Sequence, residues 1–239
     1  LEPEVEEYPV TMMLSRDGYL KKMTDRVLRK ATTLKYKDGD EPFIEFDSSN
    51  THDLLVFTNQ CQVYKCKVAA FEDTKSAQLG SYLPTDLEMD ADETVTWVID
   101  PEDYKADVLF VFENGRVARV ALSGYATKTN RKRLKNAIYG GSKLMYATVL
   151  KEERDLALVS SDYRMVNFNT SLLKTKTTNS TQGVQALTIK GSRTVTMVGT
   201  AEEFIGGKAQ VEKFRAEKLP SAGAPMKETD MKSLFDLEE

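Results

Sequence analysis

Residues 50–68 read NTHDLLVFTNQCQVYKCKV, and the fold turns on them. Leu54 to Phe57 form a short apolar run, and Val63, Tyr64 and Val68 follow among polar residues, so the stretch predicts two strands around a tight turn. The first strand is expected to be buried on both faces and the second on one. Cys61 stands where such a turn usually requires glycine.

Three other segments align with this one: VTMMLSRDGYLKKM from Val10, VLFVFENGRVARVAL from Val108 and LALVSSDYRMVNFNT from Leu156. Their turn positions are Gly18, Cys61, Gly115 and Tyr163, at intervals of 43, 54 and 48 residues. Asp17-Gly18 and Asn114-Gly115 signal a two-residue turn with positive φ. Gln60-Cys61 and Asp162-Tyr163 do not, so those turns are expected to be longer, strained or of another type. Between the hairpins recurs a strand-turn-strand unit, at residues 32–46, 79–99, 136–150 and 182–198. A hairpin plus one such unit gives about four strands per repeat, the arithmetic of a propeller blade. Helical periodicity is nearly absent before residue 205. The expectation is an all-β ring of four-stranded blades, four in number with a fifth from the tail as the alternative. The first hairpin and the last strand unit would share a blade and close the ring, removing exposed sheet edges. Residues 1–203 form the domain in this reading, and 204–239 a short helix with a flexible acidic tail.

The 239 residues suit one larger globular domain or two small ones. A start at Leu1 rather than methionine reads as a fragment of a longer protein. The longest apolar run, VLFVF at 108–112, falls far short of a bilayer span. Cys61 and Cys66 are too few and too closely placed for a disulfide framework or a zinc site, and read as reduced thiols of a water-soluble, cytoplasmic protein.

A net charge of −4 conceals a segregation of sign. Residues 1–107 carry 12 Lys/Arg against 23 Asp/Glu, a net of −11; residues 108–200 carry 15 against 5, a net of +10; residues 201–239 carry 6 against 9, a net of −3. A solvated basic face is the commonest meaning of such a middle segment. A polyanion partner is the sharper one.

The runs KYKDGDEPFIEFDSSNTHDLLVFTNQCQVYKCKV and NSTQGVQALTIKGSRTVTMV resemble the repeats of the C-terminal domain found in the A chain of bacterial DNA gyrase and of its topoisomerase IV counterpart. The resemblance covers roughly residues 8–200. It implies a β-pinwheel, a propeller-like ring whose blades exchange strands, which binds and bends duplex DNA around its perimeter and performs no chemistry. The parent would be an ATP-dependent type IIA topoisomerase, with partners in its ATPase subunit and in the catalytic core of its own chain, and the fragment itself monomeric. Gyrase carries a basic, glycine-rich box resembling QRRGGKG after its first hairpin. Here that place reads TDRVLRKATTLKY, without a glycine pair, so the chain is more similar to the topoisomerase IV member and strong wrapping is not expected.

Loops leaving each hairpin would fall at equivalent places in every blade, so their cations would line a rim. They are Arg26, Arg29 and Lys30, then Lys75, then Lys128, Arg131, Lys132, Arg133 and Lys135, then Lys174 and Lys176. Arg116, Arg119 and Lys143 lie beside them in sequence and complete the candidate DNA-binding set. The densest piece, KTNRKRLK at 128–135, holds five basic residues in eight. Duplex DNA carries one charge per roughly 1.7 Å of axis, so such a row binds largely without reading sequence. The second junction, with Lys75 beside Glu72 and Asp73, reads as too weak to contribute.

No constellation supports catalysis, a metal or a cofactor. His52 is the single histidine and reads as a turn residue bonding locally. Asp90, Asp92 and Glu93 read as a solvated loop, Gly140-Gly141 lacks the lysine of a phosphate loop, and Trp97 reads as core. KSLFDL, near the end, faintly resembles a sliding-clamp docking peptide. The alternative to a DNA-binding domain is a propeller that binds proteins, which would scatter the cations and expose an apolar patch.

Overall fold

The computed structural model describes residues 3–127, 132–206 and 210–231. The strands are β1 (Pro9–Ser15), β2 (Tyr19–Met23), β3 (Pro42–Ser49), β4 (Asp53–Thr58), β5 (Gln62–Lys67), β6 (Ser81–Tyr82), β7 (Val95–Ile99) and β8 (Asp107–Phe112), continuing with β9 (Arg116–Ala121), β10 (Arg133–Lys135), β11 (Leu144–Leu150), β12 (Asp155–Ser160), β13 (Arg164–Asn169), β14 (Val184–Gln185), β15 (Val195–Gly199) and β16 (Ala224–Pro225). Among the described residues three short α-helices accompany them, α1 (Asp25–Lys30), α2 (Leu83–Asp86) and α3 (Ala201–Phe204), together with single helical turns.

They assemble into four antiparallel sheets, β3-β1-β2-β6, β7-β4-β5-β10, β11-β8-β9-β14 and β15-β12-β13-β16. Each sheet is a hairpin with a strand added on either side. The strand beside the first hairpin strand comes from the segment just downstream. In the first three blades the strand beside the second hairpin strand comes from beyond the next hairpin. The chain divides into two compact units, one of residues 1–105 and 122–140 with the first two blades, the other of 106–121 and 141–239 with the last two.

Two expectations change here. The strand-turn-strand units do not stay whole, because their first strand returns to the preceding blade: β6 goes to the first sheet and β14 to the third. Nor do the first hairpin and the last strand unit share a blade. β1 and β2 pair with β3 and β6, while β16 from the tail covers the edge of β13. The boundary at residue 203 thus falls inside the fourth blade. Phe214 and Met226 are buried against Val159 and Met165, which gives this stretch a packed core of its own. Among the described residues its helical content is the end of α3 and single turns at Val211–Phe214 and Glu228–Asp230.

All four hairpins have the same loop. The amide of the turn residue donates to the carbonyl three residues back: Gly18 to Ser15 at 3.1 Å, Cys61 to Thr58 at 3.3 Å, Gly115 to Phe112 at 3.0 Å and Tyr163 to Ser160 at 2.9 Å. φ at these positions is +97°, +58°, +83° and +58°. This is a three-residue loop, a type I turn closed by one left-handed residue, rather than a two-residue turn. Cys61 and Tyr163 therefore keep the shared geometry at the cost of a left-handed conformation that side chains disfavour. A Cβ built at Gly140 would lie 2.9 Å from Cys61 Sγ, so the cysteine side chain packs against this glycine.

The apolar runs are buried as expected, with Leu54 to Phe57 and Val108 to Phe112 wholly removed from solvent. The second strands are buried more deeply than alternation predicts, since Lys21 and Lys22 on β2 are 1% and 4% exposed. Their ammonium groups find acceptors inside. Lys21 Nζ donates to the carbonyls of Gln78 and Leu79 at 2.7 and 2.8 Å, and Lys22 Nζ donates to that of Phe71 at 3.0 Å. Burial lowers the Lys21 pKa, with Asp40 opposing the shift.

Candidate nucleic-acid interface

Each hairpin leaves its second strand through a short helical turn: α1 after β2, Val68–Ala70 after β5, Leu122–Tyr125 after β9 and Thr170–Leu172 after β13. These turns are the equivalent junctions that the repeat implied. Arg26, Arg29 and Lys30 are exposed on α1, whose six residues place the last two in its final turn. That position suits them, because cations near a helix C-terminus meet its carbonyl ends. Lys75 is exposed beyond the second turn, and Lys174 and Lys176 are exposed beyond the fourth. Lys176 runs beside β9, its amide donating to the Arg119 carbonyl at 2.8 Å and its carbonyl accepting from the Ala121 amide at 2.9 Å. Lys143 is exposed just ahead of β11. Lys128 and Arg131 lie outside the described residues.

The run KTNRKRLK does not give one patch. On β10, Arg133 is opposite Tyr64, Leu134 opposite Val63 and Lys135 opposite Gln62. Alternation then puts Lys132 on the face of Val63, Lys65 and Lys67, and Arg133 with Lys135 on the other. Lys132 and Lys135 are exposed. Arg133 is committed: Nε donates to Gln62 Oε1, Nη2 donates to Asp90 Oδ2 at 2.7 Å, and the guanidinium stands 5.9 Å from the centre of the Tyr64 ring. The donors from Gln62 and Arg133 hold the Asp90 carboxyl below the usual carboxylate range. Lys65 and Lys67 were missed in sequence, although the alternation in QVYKCK places both on one face.

Arg119 is also a structural cation. Nε donates to Asp107 Oδ2 at 2.7 Å, and Nη1 donates to Glu153 Oε1 at 2.8 Å and to the Thr170 and Leu173 carbonyls at 3.2 and 3.4 Å. Its side chain is 15% exposed, leaving little for a ligand. It ties the start of β8 to the turn after β13. Arg116 is half-buried, with Nη1 donating to the Gly183 carbonyl at 3.4 Å. The candidate set therefore reduces to exposed cations: Arg26, Arg29, Lys30, Lys132 and Lys135 in the first unit, and Lys143, Lys174 and Lys176 in the second.

Two residues set aside in sequence have defined structural work. Glu93 is not solvated: it is 3% exposed. Its carboxylate accepts from Thr58 Oγ1 at 2.5 Å, Tyr64 OH at 2.6 Å and the Asp90 amide at 3.1 Å. Burial and then this carboxylate push the Tyr64 hydroxyl above its ordinary pKa. His52 bonds locally through its amide, which donates to the Ser49 carbonyl at 3.0 Å, and its side chain also reaches far in sequence, with Nδ1 2.7 Å from Asp100 Oδ2. Ser48 Oγ donates to the same Oδ2 at 2.7 Å, so the hydroxyl faces the acid rather than the imidazole and the group lacks a nucleophile–base contact. Trp97 is half-buried and meets the Phe43 ring edge-on at 5.2 Å. Among the described residues no group of three His, Cys, Asp or Glu side chains is placed to hold a metal, and no helix is long and apolar enough to cross a membrane.

Four four-stranded antiparallel blades that exchange strands define the β-pinwheel, the fold of the C-terminal domains of DNA gyrase A and topoisomerase IV. Among solved structures, the C-terminal domain of DNA topoisomerase IV matches 93% of this chain and 74% of its own, with a TM-score of 0.75 and 20% identity. The E. coli ParC C-terminal domain matches 93% and 96%, with a TM-score of 0.69 and 16% identity, and the DNA gyrase A C-terminal domain 93% and 80%, with 0.64 and 15%. In sequence the chain is similar to the A chain of DNA topoisomerase 4. It is 28% identical to the Bacillus subtilis protein over 138 residues, 56% of this chain and 17% of that one, and 24% identical to the Staphylococcus epidermidis protein over 194 residues, 79% and 24%. No protein-family profile matches. The chain thus spans about a quarter or less of the relatives' length, and its homology is to a domain of a type IIA topoisomerase. The resemblance read from the repeats, with its lean toward topoisomerase IV, holds.

Proposed function

We propose that this domain binds duplex DNA through the exposed cations at its hairpin exits and so guides DNA to the catalytic core of a type IIA topoisomerase. The observation that carries the reading is the recurrence of exposed Lys and Arg on or just beyond these helical turns, Arg26, Arg29 and Lys30 on the first and Lys174 and Lys176 beyond the fourth. Side chains there neutralise phosphates and release counterions, which supports affinity without sequence preference. Bending a few tens of base pairs costs roughly 1–6 kcal/mol, so several such cations must act together. In the parent enzyme, a cytoplasmic one in this reading, the domain works beside an ATPase subunit and the breakage core of its own chain. It contributes no catalytic group, cofactor or metal.

The test is titration of a labelled duplex at several salt concentrations. Wild type is expected to bind with a steep negative salt slope. Replacing Arg26, Arg29 and Lys30 by alanine, and separately Lys174 and Lys176, should lower affinity and make the slope shallower by about 0.9 for each phosphate no longer neutralised. Absence of binding at low salt would overturn the reading.

A further inference from the structure

Beside β5 the first unit carries a cleft of about 770 Å³, within the usual range for ligand sites. Its floor is apolar, formed by the buried Phe71 and the half-buried Leu87. One wall is cationic. Lys65, Lys67 and Lys132 line it, brought to one face by strand alternation. Lys65 is held in place, 4.0 Å from Asp53 Oδ2, 5.0 Å from the centre of the Tyr104 ring and 3.5 Å from the Thr127 carbonyl. Asp53 in turn accepts from the Tyr104 hydroxyl at 2.5 Å. Lys67 and Lys132 are exposed.

We propose that this cleft docks a peptide segment of a protein partner that alternates acidic and apolar side chains. The shape argues against duplex DNA as occupant. A double helix offers a broad convex backbone of phosphates, which reaches exposed lysines but leaves an apolar floor unfilled. An extended acidic-apolar peptide meets both surfaces, its apolar side chains entering over Phe71 and Leu87 and its carboxylates facing Lys67 and Lys132. Asp86, at the end of α2, and Asp53 also line the cleft and disfavour a uniformly anionic ligand. The proposal does not rest on the DNA reading, because Lys67, Phe71 and Leu87 are absent from that set.

Fluorescence polarisation with a labelled peptide of alternating aspartate and leucine tests it, beside peptides in which serine replaces leucine or lysine replaces aspartate. The aspartate–leucine peptide is expected to bind saturably and both controls to bind about tenfold or more weakly. Lys67→Glu, at the exposed end of β5, should weaken it to a similar degree. Ala70→Trp, which fills the floor from an exposed position, should do the same while leaving duplex affinity unchanged. Failure of the peptide to bind, equal binding of the aspartate–serine control, or unchanged binding to Lys67→Glu would overturn the proposal. Loss of duplex affinity in a folded Ala70→Trp protein would also do so, by making the cleft part of a nucleic-acid surface.

Discussion

Cys61 and Tyr163 occupy the left-handed position that glycine holds in the other two hairpins, both at φ +58°. A side chain there costs about 1–3 kcal/mol, and glycine returns part of that in backbone entropy, about 0.5–1 kcal/mol. Tyr163 is 54% exposed, so its ring contributes little packing. Tyr163→Gly is therefore expected to stabilise the protein by about 1 kcal/mol, a rise in Tm of about 2–4 °C for a chain of this size. A fall in Tm would show that the ring has packing partners in solution. Cys61→Gly should gain less, because it also removes the sulfur seated against Gly140. Glu93 works in the other sense. Its loss in Glu93→Ala strands the Thr58 and Tyr64 hydroxyls inside the second blade, at an expected cost of about 3 kcal/mol. Chemical denaturation measures both. Cys66 supplies a pH test: with its folded pKa near 12 and an unfolded value near 8.5, the folded thiol stays protonated while the unfolded one ionises. Its contribution is full below about pH 8.5 and is lost as pH rises toward 12. Cys66→Ala should flatten that alkaline loss, read by melting across this range.

At the scale of elements, the hairpins were legible because a buried first strand leaves a continuous apolar run that no neighbour can disguise. Leu54 to Phe57 and Val108 to Phe112 show this directly. The partners of each hairpin were not legible. β6, β14 and β16 are two residues long, too short to carry a period, and they reach their sheets from beyond later elements. The tail was the largest casualty. Its apolar residues are sparse, yet Phe214 and Met226 close the core over Met165, and the Met226 amide donates to the Tyr163 carbonyl at 2.7 Å. Truncation after residue 205 is therefore expected to destabilise the fourth blade by several kcal/mol, as burying two large side chains is worth about 1.5–3 kcal/mol each. A truncated protein with unchanged stability would mean the segment is only draped on the sheet. The cations divide along the same line. Exposure of Lys174 follows from its place after a strand, whereas the engagement of Arg119 by Asp107 and Glu153 depends on residues 12 and 34 positions away, which no local pattern reveals.

For the whole molecule, these commitments change what a charge-removal experiment can mean. Among its described residues the densest basic run contains one cation, Arg133, bonded to Asp90 and Gln62, and two exposed ones, Lys132 and Lys135, whose side chains alternate to opposite faces. Replacing the run wholesale would confound DNA affinity with damage to the second blade. Single substitutions separate them. Arg119→Ala is expected to cost about 1–2 kcal/mol of stability, because the half-buried Asp107 loses its charged donor and keeps only the Thr175 hydroxyl, while leaving the salt slope of duplex binding unchanged. Lys132→Ala and Lys135→Ala should leave stability within about 0.5 kcal/mol of wild type. A straight run of phosphates touches one face of a strand at a time, so only one of these two lysines is expected to make the slope shallower, by about 0.9. Equal effects from both would require the DNA to straddle β10. No effect from either would confine the candidates to the cations of α1, Lys143 and the cations that follow the fourth hairpin.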